Sequence, residues 1–153
     1  MNEYMKKAID NARNGILKNE GGPFGAIIID KEGNIIADGN NKVIIENDPT
    51  AHAEIIAIRE ACKKLKTYDL SDYILYTSCE PCPMCLSAII WANIKEVYYG
   101  CTKDDAEKIG FRDDFIYKYI KGEIKDVLNM KKLDRDECLK VFEEYEKNKG
   151  VIY

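Results

Sequence analysis

His52-Ala53-Glu54 and Pro81-Cys82-Pro83-Met84-Cys85 are the two short stretches of this 153-residue chain whose residue types could do chemistry together. His52 is the only histidine, so any mixed histidine–cysteine metal site must use it. Each stretch reads as the start of a helix. Residues two apart on a helix are separated by about 200°, so His52 and Glu54 do not share a face. Within a first turn, however, both can reach around the helix end toward one point. Cys82 and Cys85, three apart, share a side, and the positive helix end favours their thiolate forms. One imidazole and two thiolates suit one Zn2+ per subunit. Three protein ligands leave a fourth tetrahedral position for water, as in catalytic rather than structural sites. Such a metal lowers the pKa of its water from 15.7 toward about 7, and Glu54 has the type and position to move the protons.

Other readings of the same residues stay open at this point. Cys79 could add a fourth ligand, which would make a closed structural zinc site in an interaction module. Cys79, Cys82 and Cys85 could also begin an iron–sulfur pattern, but the next cysteine is Cys101 and His-Ala-Glu is then unexplained. Cys79 is read here as a non-ligand near the site. Glu54 can also complement the helix dipole. Cys62, Cys101 and Cys138 are scattered and are expected to be small buried hydrophobes.

The elements that must position these residues follow from periodicity. Met5, Ala8, Ile9, Ala12, Ile16 and Leu17 recur at helical spacing and predict an amphipathic helix over 2–18. An apolar run over 24–30 predicts a buried strand, and turn chemistry over 30–34 leads to a return strand from 35 to 38. The polar stretch 40–49 reads as a loop, with Thr50 after Pro49 as helix cap and a helix over 51–65. A strand over 73–77, a helix over 82–92 and a strand over 96–100 follow. A short helix over 113–121, a last strand over 124–130 and a terminal helix over 134–149, striped by Leu139, Phe142 and Tyr145, complete the reading. A hairpin followed by strand–helix–strand units implies a single α/β domain, a mixed sheet covered by helices on both faces, with parallel neighbours in its second half.

The composition is that of a globular domain, 46% hydrophobic and 33% charged, with a formal net charge of -4. The balance weighs against a nucleic-acid partner, which usually demands a basic stripe. No apolar run approaches the roughly 20 residues of a membrane span, and Met1 to Lys7 lacks the apolar region of a signal peptide. The expectation is a cytoplasmic protein without disulfides.

H-x-E…P-C-x-x-C is the signature of zinc nucleobase deaminases. With Gly22-Pro23-Phe24-Gly25-Ala26, Asn47-Asp48-Pro49-Thr50-Ala51-His52-Ala53-Glu54 and Tyr76-Thr77-Ser78-Cys79-Glu80-Pro81-Cys82-Pro83-Met84-Cys85, the chain resembles the cytidine-deaminase-like superfamily from its first helix to about Lys121. Asn47-Asp48-Pro49-Thr50 and Gly110-Phe111-Arg112-Asp113-Asp114-Phe115-Ile116-Tyr117 are similar to the small bacterial zinc guanine deaminases. The resemblance implies a three-layer α/β/α sandwich on a five-stranded mixed sheet. It implies hydrolysis of guanine to xanthine and ammonia, with guanosine, cytosine and the wobble adenosine of tRNA as alternatives. It further implies a homodimer whose C-terminal segment, about 131–153, is swapped between subunits. Metal ligands are then His52, Cys82 and Cys85, catalytic residues Glu54 and Asp113, and substrate-binding residues Asn41, Phe24, Ala53, Trp91 and Tyr153. Arg112 intervenes where the family usually has two acids directly after Gly-Phe, so Asp114 competes with Asp113. Residues 122–148 match no motif.

Overall fold

The computed structural model describes residues 1–153. Strand β1 (Gly25–Ile29) is buried at every position because both its faces are covered. Ala26 and Ile28 belong to one apolar cluster, with Ala53, Ala57 and Ala61 of helix α3 (Ala53–Leu65) and Ile89 of helix α4 (Pro83–Trp91). Ile27 and Ile29 face the other way, in a smaller cluster with Tyr4 and Met5 of helix α1 (Glu3–Leu17). Period-2 alternation of the strand thus sorts successive residues between two helical layers, giving the expected α/β/α arrangement. Helix α1 lies so close to β1 that a Cβ on Gly25 would sit 2.1 Å from the carbonyl oxygen of Ala8. Only glycine permits that approach.

The sheet has four strands, in the order β2-β1-β3-β4. β2 (Ile35–Asn40) forms the antiparallel hairpin with β1, β3 (Ile74–Cys79) is antiparallel to β1, and β4 (Glu96–Cys101) is parallel to β3. The crossover from β3 through α4 to β4 supplies the parallel pair. The expected fifth strand is absent: residues 124–130 are turns and irregular backbone, exposed except for Ile124. Lys125 and Asp126 interrupt the alternation that a strand with one buried face requires.

Other differences are local. Residues 40–49 contain a one-turn helix, α2 (Val43–Glu46). Thr50 does not cap α3. Its backbone and hydroxyl both donate to Asp48 Oδ1, at 2.8 and 2.7 Å, and the cap position falls to His52. Helix α5 (Lys103–Lys108) was not expected; a reciprocal capping box between Thr102 and Asp105 starts it. Helices α6 (Asp114–Ile120) and α7 (Arg135–Lys147) lie close to their expected spans. Cys101 and Cys138 are exposed and Cys62 is half-buried, not core residues. No helix is long and apolar enough to cross a membrane.

The chain divides into two compact units, Met1–Tyr117 and Lys118–Tyr153. The sheet, α1–α5 and all residues of the site described below lie in the first. The second contains α7, whose Phe142 is 73% exposed, and a tail held by the Tyr145 hydroxyl, which donates to the carbonyl of Val151 at 2.6 Å.

Candidate active site

Two helix N-termini meet at one point. His52 is the N-cap residue of α3 and Cys82 that of α4; both have extended backbone, and the Cys82 side chain folds back onto the first turn of its helix. Pro83 occupies the first turn of α4, where its missing N–H costs nothing. The backbone N–H of Cys85 donates to Cys82 Sγ at 3.5 Å. His52 Nδ1 lies 3.5 Å from the sulfurs of both Cys82 and Cys85, and all three ligand atoms fall within 4.8 Å of one another.

That spacing can be tested against zinc chemistry. Zn–S bonds near 2.3 Å and Zn–N bonds near 2.05 Å at a tetrahedral angle place N and S about 3.6 Å apart. The observed 3.5 Å separations fit. The electrostatics agree: Cys82 is held well below the usual thiol range, first by its hydrogen bond with Cys85 and then by His52. Cys85 is pushed up by the same bond and by burial. His52 is raised by its bond to Cys82. The three share protons that a cation would displace.

Glu54 sits one residue into α3 and is 6% exposed. Burial raises its pKa. Its Oε2 lies 3.5 Å from Cys85 Sγ, on the metal side. Its Oε1 faces the Thr77 hydroxyl at 3.1 Å. Cys79 stands apart from the ligand cluster. Its thiol is pushed up to about 12, mainly by burial, and its sulfur points to the carbonyl of Thr102 at 3.6 Å.

His52, Glu54 and Cys82 line a cavity of about 930 Å3, together with Phe24, Asn41 and Asp113. Phe24 meets Phe111 edge to face, with centroids 5.0 Å apart at 87°. Asn41 is buried, and its Oδ1 accepts from the backbone N–H groups of Gly22 at 3.2 Å and Val43 at 3.1 Å. The amide is thereby oriented with Nδ2 as its remaining donor end. A Cβ on Gly21 would lie 2.2 Å from that Oδ1, so a side chain there would expel Asn41. Asp113 is half-buried; burial, then the Cys82 thiolate, raise its pKa against the opposing pull of Lys103. Asp114 is not among the cavity residues and instead accepts from Arg112 at 3.1 and 3.4 Å.

Trp91, Ala53 and Tyr153 are not among the residues that line the cavity. Trp91 is 68% exposed at the far end of α4. At about 1.5 Å per residue, the helix carries it over 13 Å from Cys82. The Ala53 methyl is fully buried in the core against the sheet, so its side chain does not reach the cavity. Tyr153 is exposed at the end of the second unit. Phe111 lines the cavity and Thr77 bonds Glu54, although neither is among the site residues expected from the sequence. The first stood in plain view after Gly110; the second required knowing which face of β3 meets α3.

Residues 1–101 match the family model of the cytidine and deoxycytidylate deaminase zinc-binding region. The chain belongs to this family. It is a zinc-dependent hydrolytic deaminase. The guanine deaminase of Bacillus subtilis strain 168 is 57% identical over 117 residues, which is 76% of this chain and 74% of that one. An X-ray structure of Bacillus subtilis guanine deaminase superposes with a TM-score of 0.89 at 47% identity, covering 96% of this deaminase and 95% of that chain. The tRNA-specific adenosine deaminase of Buchnera aphidicola subsp. Schizaphis graminum is 42% identical over 128 residues, 83% of this chain and 82% of that one.

Proposed function

We propose that this deaminase hydrolyses guanine to xanthine and ammonia. The observation that carries the reading is a metal-ligand triad and a buried carboxylate opening into a cavity walled by an edge-to-face phenylalanine pair, whose polar donor is the preset amide of Asn41. The similarity to a guanine deaminase across most of the chain points the same way.

His52, Cys82 and Cys85 would hold zinc, which when bound supplies an acidified water as nucleophile. Glu54 takes a proton from the attacking water, delivers it to the ring at N3, and carries a proton toward the amine leaving C2. Its burial raises the affinity for the proton it must briefly hold. Asn41 Nδ2 donates to a ring acceptor, while Phe24 and Phe111 orient the ring by its face and edge. Asp113, raised by burial beside the cavity, serves as the second shuttle. Asp113→Asn should slow turnover about 10-fold or more, and Asp114→Asn, on the Arg112 side, should not; the reverse pattern would exchange the two assignments.

Ammonia release from guanine, guanosine, adenine, cytosine and a tRNA anticodon stem-loop with a wobble adenosine tests the substrate. We expect kcat/KM for guanine about 100-fold or more above the others, because a site built to bond particular ring groups rejects rings that leave them unpaired. The Buchnera relative makes the RNA the second reading. Turnover of the stem-loop with silence on guanine would exchange the two.

The working form is a cytoplasmic homodimer in which the segment from about 131 to 153 is exchanged and Tyr153 completes a neighbour's site. Exposed Val141 and Phe142 on α7, and exposed Leu86 and Ile90 on α4, are apolar surface of the kind that subunit contacts cover. Sedimentation of the full chain at micromolar concentration should give a dimer; a monomer would end this part of the reading.

A further inference from the structure

We propose that Thr77 is a positioning residue that fixes the working orientation of Glu54 through its hydroxyl. This rests on the reading of Glu54 as proton carrier.

Thr77 is one of three buried polar side chains in the chain, with Asn41 and Glu54, and is 1% exposed. It sits in the middle of β3, where Leu75 and Thr77 point to the face covered by α3. Packing alone asks for no hydroxyl there, since valine fills the same shape. The hydroxyl has a specific use: Oγ1 lies 3.1 Å from Glu54 Oε1. The opposite oxygen, Oε2, is the one 3.5 Å from Cys85 Sγ. The carboxylate is therefore fastened to the sheet by one oxygen and presents the other to the ligand cluster. A glutamate has three rotatable side-chain bonds, and holding it in one pose costs rotamer entropy. Threonine is β-branched and stiff at χ1, and its backbone is clamped between β1 and β4. The hydroxyl has a single proton, and the carbonyl of Cys79, 3.1 Å from the same Oγ1, is the other acceptor within its reach. The anchor is thus a rigid group on the central sheet, while Thr77 itself does not line the cavity and so does not touch substrate.

A crossed pair of variants separates positioning from packing. Thr77→Val keeps the shape and removes the donor; kcat for guanine should fall about 10–100-fold, with KM within about 2-fold of wild type and zinc content unchanged. Thr77→Ser keeps the donor and removes the methyl; kcat should stay near wild type even where Tm drops. A packing role would give the reverse, with Ser impaired and Val normal, and would overturn the proposal. So would a Ser variant as slow as Val, which decides the matter if Val folds poorly. Glu54→Gln is measured alongside. If it is inactive while Thr77→Val has wild-type kcat, the Thr77 proposal fails alone; if Glu54→Gln is itself active, the reading beneath it fails.

Discussion

Glu54→Gln should leave zinc bound and the protein folded while kcat for guanine falls by about 10²–10⁴-fold, the contribution expected of a positioned acid–base group. The amide matches the carboxylate in shape and can still meet the Thr77 hydroxyl at Oε1. It cannot take a proton from water and release it to the ring. Glu54 is not among the three clustered ligands, so its loss removes no donor to the metal. Stability should hold or rise, because burial already disfavours the charged carboxylate and a neutral amide escapes that cost. Steady-state kinetics, metal analysis and a thermal melt are read on one preparation. A variant within about tenfold of wild-type turnover would remove Glu54 from the proton path. A variant lacking zinc would instead make it a partner of the metal.

The residues doing the chemistry were legible because their positions depend on local rules. His52 and Cys82 stand at helix starts that Pro49 and Pro83 announce, and a helix start alone turns such side chains toward one point. The apolar run of β1 and the stripe of α1 are equally local. What failed to read out depends on distant partners. The apolar residues 124, 127, 128 and 130 resemble a strand, but a strand exists only where an edge accepts it and one face is buried. Trp91 follows the metal motif closely in sequence, yet helical rise removes it from the cavity. The helix begun by Thr102 and Asp105 carries no apolar stripe, so only its capping box marks it. Thr77 looked like any strand threonine until the register of β3 against β1 set its direction.

The largest effect should come from the ligands themselves. Cys85→Ser is expected to strip the zinc and reduce turnover about 10³-fold or more, the several kcal/mol that a metal contributes to charge stabilisation. A buried serine in place of a thiolate removes a strong soft ligand; the substitution also leaves Cys82 without the neighbour that most lowers its pKa. The melting temperature should fall, because whatever binds only the folded state stabilises it. Cys79→Ser is the matched control. Its sulfur is turned to Thr102 and its thiol resists ionisation, so zinc should remain at one per chain with turnover within a few-fold of wild type. Zinc retention by the parent protein should weaken as pH falls, since protons compete for the thiolates and the imidazole. Loss of metal from Cys79→Ser as well as from Cys85→Ser would make Cys79 a fourth ligand and close the position on which the proposed hydrolysis depends.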